Sequence, residues 1–208
     1  RLGRIVENLL AVTKVEAGAT PRREWVPIEE LVGAALERLA PTLGDRKITV
    51  DIRGDAVGHI DPVLGELLLA NLLDNAVKYG PARSNVLVSF KQNGNFLLIS
   101  VRNYGDLVPI HLRERLFQVL YRGRNAERKD TPGLGLGLGL ARQIVQMHGG
   151  NLTLASTEKG TTDFTIELPT GAPTGDAKAL DLAQAQRYAQ DLARLMNRNK
   201  RKSEGAEQ

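Results

Sequence analysis

The sequence predicts an α+β domain of two layers, with helices packed on one face of a mixed, mostly antiparallel sheet. Three observations carry that prediction. Segments such as KITVDIRG (47–54), NVLVSFKQ (85–92), NFLLISVRN (95–103), NLTLAST (151–157) and TDFTIELP (162–169) alternate apolar and polar residues at the period of a half-buried strand. Asn93-Gly94 sits between two of them, a strong hairpin signal. Leucine-rich stretches around 61–79 and 134–148 repeat at helical spacing instead.

The elements follow in order. Residues 1–17 place Leu2, Ile5, Leu9, Val12 and Glu16 at helical spacing, with Leu10 widening the stripe, and Gly18 supplies a stop. PRREWVP is expected to be an extended linker, because Pro21 and Pro27 disfavour helix before them. IEELVGAALERLA (28–40) predicts a helix that ends near Pro41. VGHID predicts a short strand. Asp61 stands at the N-cap and Pro62 at the first position of a long helix that ends at Gly80-Pro81. IHLRERLF predicts a short helix, and residues 119–133 are charged and irregular. A glycine–leucine run then opens a helix that reaches His148. After Pro169 the composition changes. TGAPTGD is a linker, and residues 177–198 form a weakly apolar helix with Leu182, Ala185, Ala189, Leu192 and Met196 on one face.

Composition excludes several classes of function. With 42% hydrophobic and 25% charged residues the chain reads as ordinary and globular. It has no cysteine, which removes disulfides, thiolate zinc sites and cysteine nucleophiles. No apolar run approaches the length of a membrane span, and no signal peptide opens the chain. The first residue is Arg and lies within a helical pattern, so a piece of a longer protein is expected. The net charge of +4 is uneven: Arg194 to Lys202 holds five basic residues and no acid. A solvated terminus is the expectation there, and the case for nucleic acid is weak.

Two stretches carry chemistry. Asn71, Asn75 and Lys78 are spaced four and three apart, so they share a helix face within a leucine-rich segment. Amide oxygens suit a hard cation such as Mg²⁺, the lysine suits phosphate, and Tyr79 offers a ring for stacking on a base. A solvent-facing polar stripe fits the same residues, and taken alone they leave both readings open. PGLGLGLGLARQIVQMHGG (132–150) alternates glycine with leucine into a helix start. Glycine costs a helix about 1 kcal/mol relative to alanine. Several there make sense where backbone amides approach a phosphate. A loop anchored by its leucines is the bland alternative.

Order and motifs together resemble the ATP-binding domain of sensor histidine kinases, within the wider Bergerat-fold ATPase group. NLLDNAVKYG looks like that family's asparagine box. LFQVLYRG, with Phe117 and Arg122, looks like its phenylalanine box, and PGLGLGLGL with IVQMHGG looks like its glycine box. RLGRIVENLL, VEAG and REWVPIEELV look most like the potassium-sensing Kdp-type kinases. The resemblance implies a two-layer α/β sandwich spanning 24–170. Residues 1–23 would be the end of a dimerisation helix with its linker, and 171–208 an added linker, helix and basic tail. It implies ATP and Mg²⁺ as ligands. Asn75 would hold the metal with Asn71 beside it, Lys78 would face phosphate, and Tyr79 would face adenine. Gly133, Gly135 and Gly137 would let amides reach the phosphates, 119–133 would be a lid, and Thr161 or Thr162 would lie near the base. Gly139 stands where the family usually has alanine. The implied partners are a second copy, joined through the N-terminal helix, and a response regulator. The implied location is cytoplasmic, including the cytoplasmic part of a membrane-anchored sensor.

The sequence departs from the family in two places. His59, His111 and His148 are its only histidines, and none has the context of a phosphate acceptor. They are expected to be surface or packing residues, so the acceptor would lie outside this chain. At Asn103-Tyr104-Gly105-Asp106-Leu107 the family has Asp-x-Gly-x-Gly. Asn103 keeps an acceptor oxygen without the charge, and Gly105 keeps the glycine. Hydrogen bonds to charged groups contribute about 1.5–3 kcal/mol, against about 0.5–1.5 for neutral ones. Leu107 adds a Cβ that would cost roughly 1–2 kcal/mol if the turn were left-handed there. These changes predict ATP binding weakened by about ten- to a hundredfold. Taken further, they suggest the alternative of a degenerate, nucleotide-poor dimerisation module.

Overall fold

The computed structural model describes residues 20–53, 56–81, 84–118, 121, 135–157 and 160–170. These belong to one compact unit. The expected helices at 1–17 and 177–198 lie outside the described residues.

Strand β1 (Glu24–Pro27) leads directly into helix α1 (Ile28–Leu43). Strands β2 (Ile48–Arg53) and β3 (Val57–Ile60) follow, then helix α2 (Pro62–Tyr79) and the hairpin β4 (Val86–Asn93) and β5 (Phe96–Tyr104). A single turn, α3 (Ile110–Arg113), and a tighter turn at Arg115–Phe117 precede helix α4 (Gly137–Met147). Strands β6 (Asn151–Ser156) and β7 (Thr161–Pro169) complete the described fold.

The main sheet has the order β2-β4-β5-β7-β6. Only β2 and β4 run parallel, which matches the mixed, mostly antiparallel expectation. PRREWVP is not simply a linker: Glu24–Pro27 pairs antiparallel with β3 in a separate two-stranded ribbon. The alternation of Trp25 and Val26 is the physical reason. Val26 is buried, while Trp25 stacks on His59 across the ribbon.

Helix α1 also runs past Pro41 to Leu43. A proline in the last turn forfeits one backbone bond, and the Thr42 hydroxyl donates to the Leu39 carbonyl at 2.9 Å. Asp61 caps α2 as expected, its carboxylate accepting from the amides of Val63 and Leu64. The hairpin turn is Gly94-Asn95, because Asn93 pairs with Phe96, and Gly94 supplies φ 57°.

The core lies between the helices and one sheet face. Leu68, Leu72 and Leu73 of α2, Leu140 and Ile144 of α4, and Phe90, Ile99, Val101 and Ile166 of the sheet are almost fully buried. Each buried aliphatic or aromatic side chain contributes about 1.5–3 kcal/mol. This cluster fixes α2 beside α4 over the middle of the sheet.

Candidate functional site

Three contacts bring the expected residues together. The first joins the two helices. A Cβ at Gly137, the first residue of α4, would lie 3.1 Å from the Asn71 side-chain oxygen of α2. The start of the glycine helix therefore packs directly on the asparagine helix, and a Cβ there would press on the Asn71 amide. Gly135, just upstream, takes φ 73°, a conformation that suits glycine. Asn75 lies one turn beyond Asn71 on α2, half-buried. Asn71 brings a neutral oxygen to the helix N-terminus and Asn75 shares its face of α2, residue types that suit a hard cation and phosphate.

The second contact lies at the end of β5. Gly105 donates its amide to the Gly160 carbonyl at 2.9 Å, and a Cβ there would lie 3.1 Å from the Tyr79 carbonyl. Gly105 is not among the glycines with positive φ, so close approach is what calls for glycine here. A Cβ at Gly80 would in turn lie 3.3 Å from the Tyr104 carbonyl. The turn after β5 is thus seated against the C-terminus of α2. Tyr79 keeps an exposed ring.

The third contact pairs strands β5 and β7, where Asn103 stands opposite Thr162. Both are buried, Asn103 at 3% exposure and Thr162 at 6%. The Asn103 amide nitrogen donates to the Tyr104 carbonyl at 2.9 Å, and its side-chain oxygen has no partner among the described residues. That bond sets the amide's orientation, because a flip would place two oxygens together. A buried acceptor left in this state costs about 1–3 kcal/mol. Such an atom fits a ligand that brings a donor, as the amino group of adenine does. Thr162 reaches Ser156 across to β6, hydroxyl to hydroxyl, at 3.4 Å.

Lys78 is placed differently from a lysine aimed at phosphate. Its ammonium pairs with the Asp74 carboxylate one turn back on α2. The spacing of four residues was a signal for that pair in the sequence. Leu107 stands on the outer side of its turn at 45% exposure. Arg122 and Gly133 lie outside the described residues, as does the expected lid apart from Tyr121.

Some supporting residues had no sequence signal. Arg113 donates to the carbonyls of Val108 and Ser156, at 3.1 and 2.8 Å, and the Val108 amide donates to the Ser156 hydroxyl at 3.1 Å. These bonds tie the segment after the turn at 103–107 to the end of β6. Arg142 lies over the Phe117 ring at 4.9 Å and pairs with Glu114 at 2.6 Å, which fixes the Arg115–Phe117 turn on α4.

Similarity to known proteins covers the same region. Residues 60–172 match the family model described as histidine kinase-, DNA gyrase B-, and HSP90-like ATPase. The sensor protein KdpD of Escherichia coli is 34% identical over 168 residues, which are 80% of this chain and 18% of that protein. The sensor histidine kinase WalK of Bacillus subtilis is 31% identical over 182 residues, covering 81% of this chain and 28% of its own. The chain thus spans less than a third of the length of these two relatives. Among solved structures, the mycobacterial sensor histidine kinase MprB superposes with a TM-score of 0.63 at 26% identity, over 71% of this chain and 97% of that one. Full-length ShkA in complex with AMPPNP superposes with a TM-score of 0.65 at 22% identity, over 79% and 35%, and shares the fold. With its family match spanning α2 to β7, the chain belongs to the histidine kinase-, DNA gyrase B- and HSP90-like ATPases.

Proposed function

We propose that this chain is the ATP-binding catalytic part of a two-component sensor histidine kinase, and that it presents the γ-phosphoryl group of Mg-ATP to a histidine outside these residues. The buried, unpartnered oxygen of Asn103 carries the reading. It is a buried acceptor opposite Thr162 on β7 and next to the glycine-seated turn.

Each residue then has a task. Asn103 accepts from the base amino group, Thr162 and Tyr79 flank the base, and Gly105 seats the turn against α2. Asn75 holds Mg²⁺ with Asn71 beside it. Gly133, Gly135 and Gly137 open the backbone toward the phosphates. Lys78 serves phosphate by exchanging its Asp74 partner, and Arg122 adds charge from the lid. The Mg²⁺ ion neutralises charge on the phosphate oxygens, and transfer rests on position and charge rather than on covalent chemistry by the protein.

The same reading divides the chain into a dimerisation-helix end (1–23), the nucleotide domain (24–170) and an appended helix and tail (171–208). A second copy joined through the N-terminal helix and a response regulator are its partners. The cytoplasm is its location.

Calorimetric titration with Mg-ADP tests the reading and separates it from the nucleotide-poor alternative. Binding in the micromolar to low millimolar range is expected. No heat of binding at millimolar nucleotide would reject it.

A further inference from the structure

His148 follows α4 and is buried at 1% exposure, away from the residues assigned to nucleotide. Its Nδ1 lies 2.8 Å from the Ile144 carbonyl, and its Nε2 lies 3.0 Å from the Asp61 backbone nitrogen. A carbonyl only accepts and an amide N–H only donates, so Nδ1 must donate and Nε2 must accept. One state of the ring satisfies both: neutral, with the proton on Nδ1. A protonated ring would set an N–H against the Asp61 N–H.

Three chain segments meet at this ring. Asp61 caps α2 through one carboxylate oxygen, and its other oxygen accepts from the Arg22 amide at 2.9 Å. The Arg23 guanidinium donates to the Met147 carbonyl at 2.7 Å. The chain entering the domain is therefore bonded to the ends of both α2 and α4. Farther along, Gly137 at the start of α4 packs on Asn71, midway along α2. Asn71 lies ten residues beyond Asp61, about 15 Å along the axis. The two helices are joined at two levels, with His148 at one and the proposed nucleotide contacts toward the other.

We infer that His148 is a positioning residue for the nucleotide site: its neutral imidazole fastens the start of α2 to the end of α4 beneath the entering chain, and protonation opens that fastening. The part of this inference that concerns nucleotide rests on the function proposed above; the part that concerns the helix junction does not. The charged and titratable groups facing the ring are Arg23, Asp61 and His59. Burial holds the His148 pKa below its usual value, and Arg23 and His59 act in the same direction, while the Ile144 carbonyl and Asp61 oppose. With a folded pKa below the unfolded one, the junction is intact above about pH 6.5 and weakens as pH falls toward the folded pKa.

The test uses the full chain and His148→Gln. Glutamine offers an amide N–H to Ile144 and an oxygen to the Asp61 amide, and it does not titrate. Imidazole nitrogen NMR at pH 7.5 should report the Nδ1–H tautomer. Protection factors of the Val63, Leu64 and Gly65 amides should fall at least fivefold more in the parent than in His148→Gln between pH 7.5 and 5.0. Mg-ADP affinity should weaken several-fold in the parent only. An Nε2–H tautomer, or equal pH dependence in the two proteins, would overturn the inference. If His148→Gln does not fold, the parent decides: selective loss of protection in the first turn of α2 relative to β5 supports it, and uniform loss overturns it. Absence of Mg-ADP binding at every pH would reject the nucleotide reading and leave the tautomer and exchange results to judge the junction.

Discussion

In the function proposed above, Asn103 would re-tune the nucleotide site rather than remove it. Its amide nitrogen is held by the Tyr104 carbonyl, so the residue offers an oxygen and nothing else. The oxygen is neutral, and the bond it makes to a base is correspondingly weaker than a carboxylate's. Asn103→Leu, which removes that oxygen, should weaken Mg-ADP by about 1 kcal/mol, a several-fold change in affinity; an aspartate would instead set an oxygen against the Tyr104 carbonyl. Competition titrations of the two proteins against a common adenine nucleotide measure it. Equal or tighter binding by the leucine variant would refute the assignment of this side chain. Leu107, singled out in the sequence for its Cβ, is 45% exposed and fills no buried space at the turn. The amide therefore carries most of the expected difference.

At the scale of elements, α2 and α4 do the positioning, and the glycines at their junctions are constrained by neighbours. Gly150, just beyond His148, is the most confined of those described: a Cβ there would lie 2.4 Å from the Glu167 carbonyl and 3.0 Å from a Val145 methyl. Gly150→Ala must move backbone at the α4–β6 connection, and a loss of about 1–3 kcal/mol is expected in urea denaturation. Retention of full stability would show that β7 yields freely at this point.

Much of this level was legible in sequence. Asp61-Pro62 marked the start of α2 because capping and proline geometry are local rules, and Gly80 marked its end. The β1–β3 ribbon was not legible. Four residues of strand following a proline-rich segment give too little period to read, and their partner lies more than thirty residues away. Pro41 misled because a proline rule for helix interiors was applied to a last turn, where little is lost.

At the scale of the molecule, chain order brings the candidate residues of distant segments around the α2–α4 pair. The sequence suggested which residues would take part, through the asparagine and glycine boxes and the altered turn at 103–107. It did not reveal the links among them. Gly137 on Asn71, Gly105 under Tyr79, and Asn103 opposite Thr162 depend on sheet order and helix packing, which local patterns do not encode. The same holds for His148, which as a helix-ending histidine reads as an ordinary packing residue until Asp61 is placed beside it.

The central claim is that these three contacts form one nucleotide site. Hydrogen exchange of the full chain with and without saturating Mg-ADP tests it most directly. Added protection should concentrate in residues 71–80, 103–105 and 135–140, with little change in β2 or the β4–β5 turn. Protection elsewhere, or none at millimolar Mg-ADP, would contradict it.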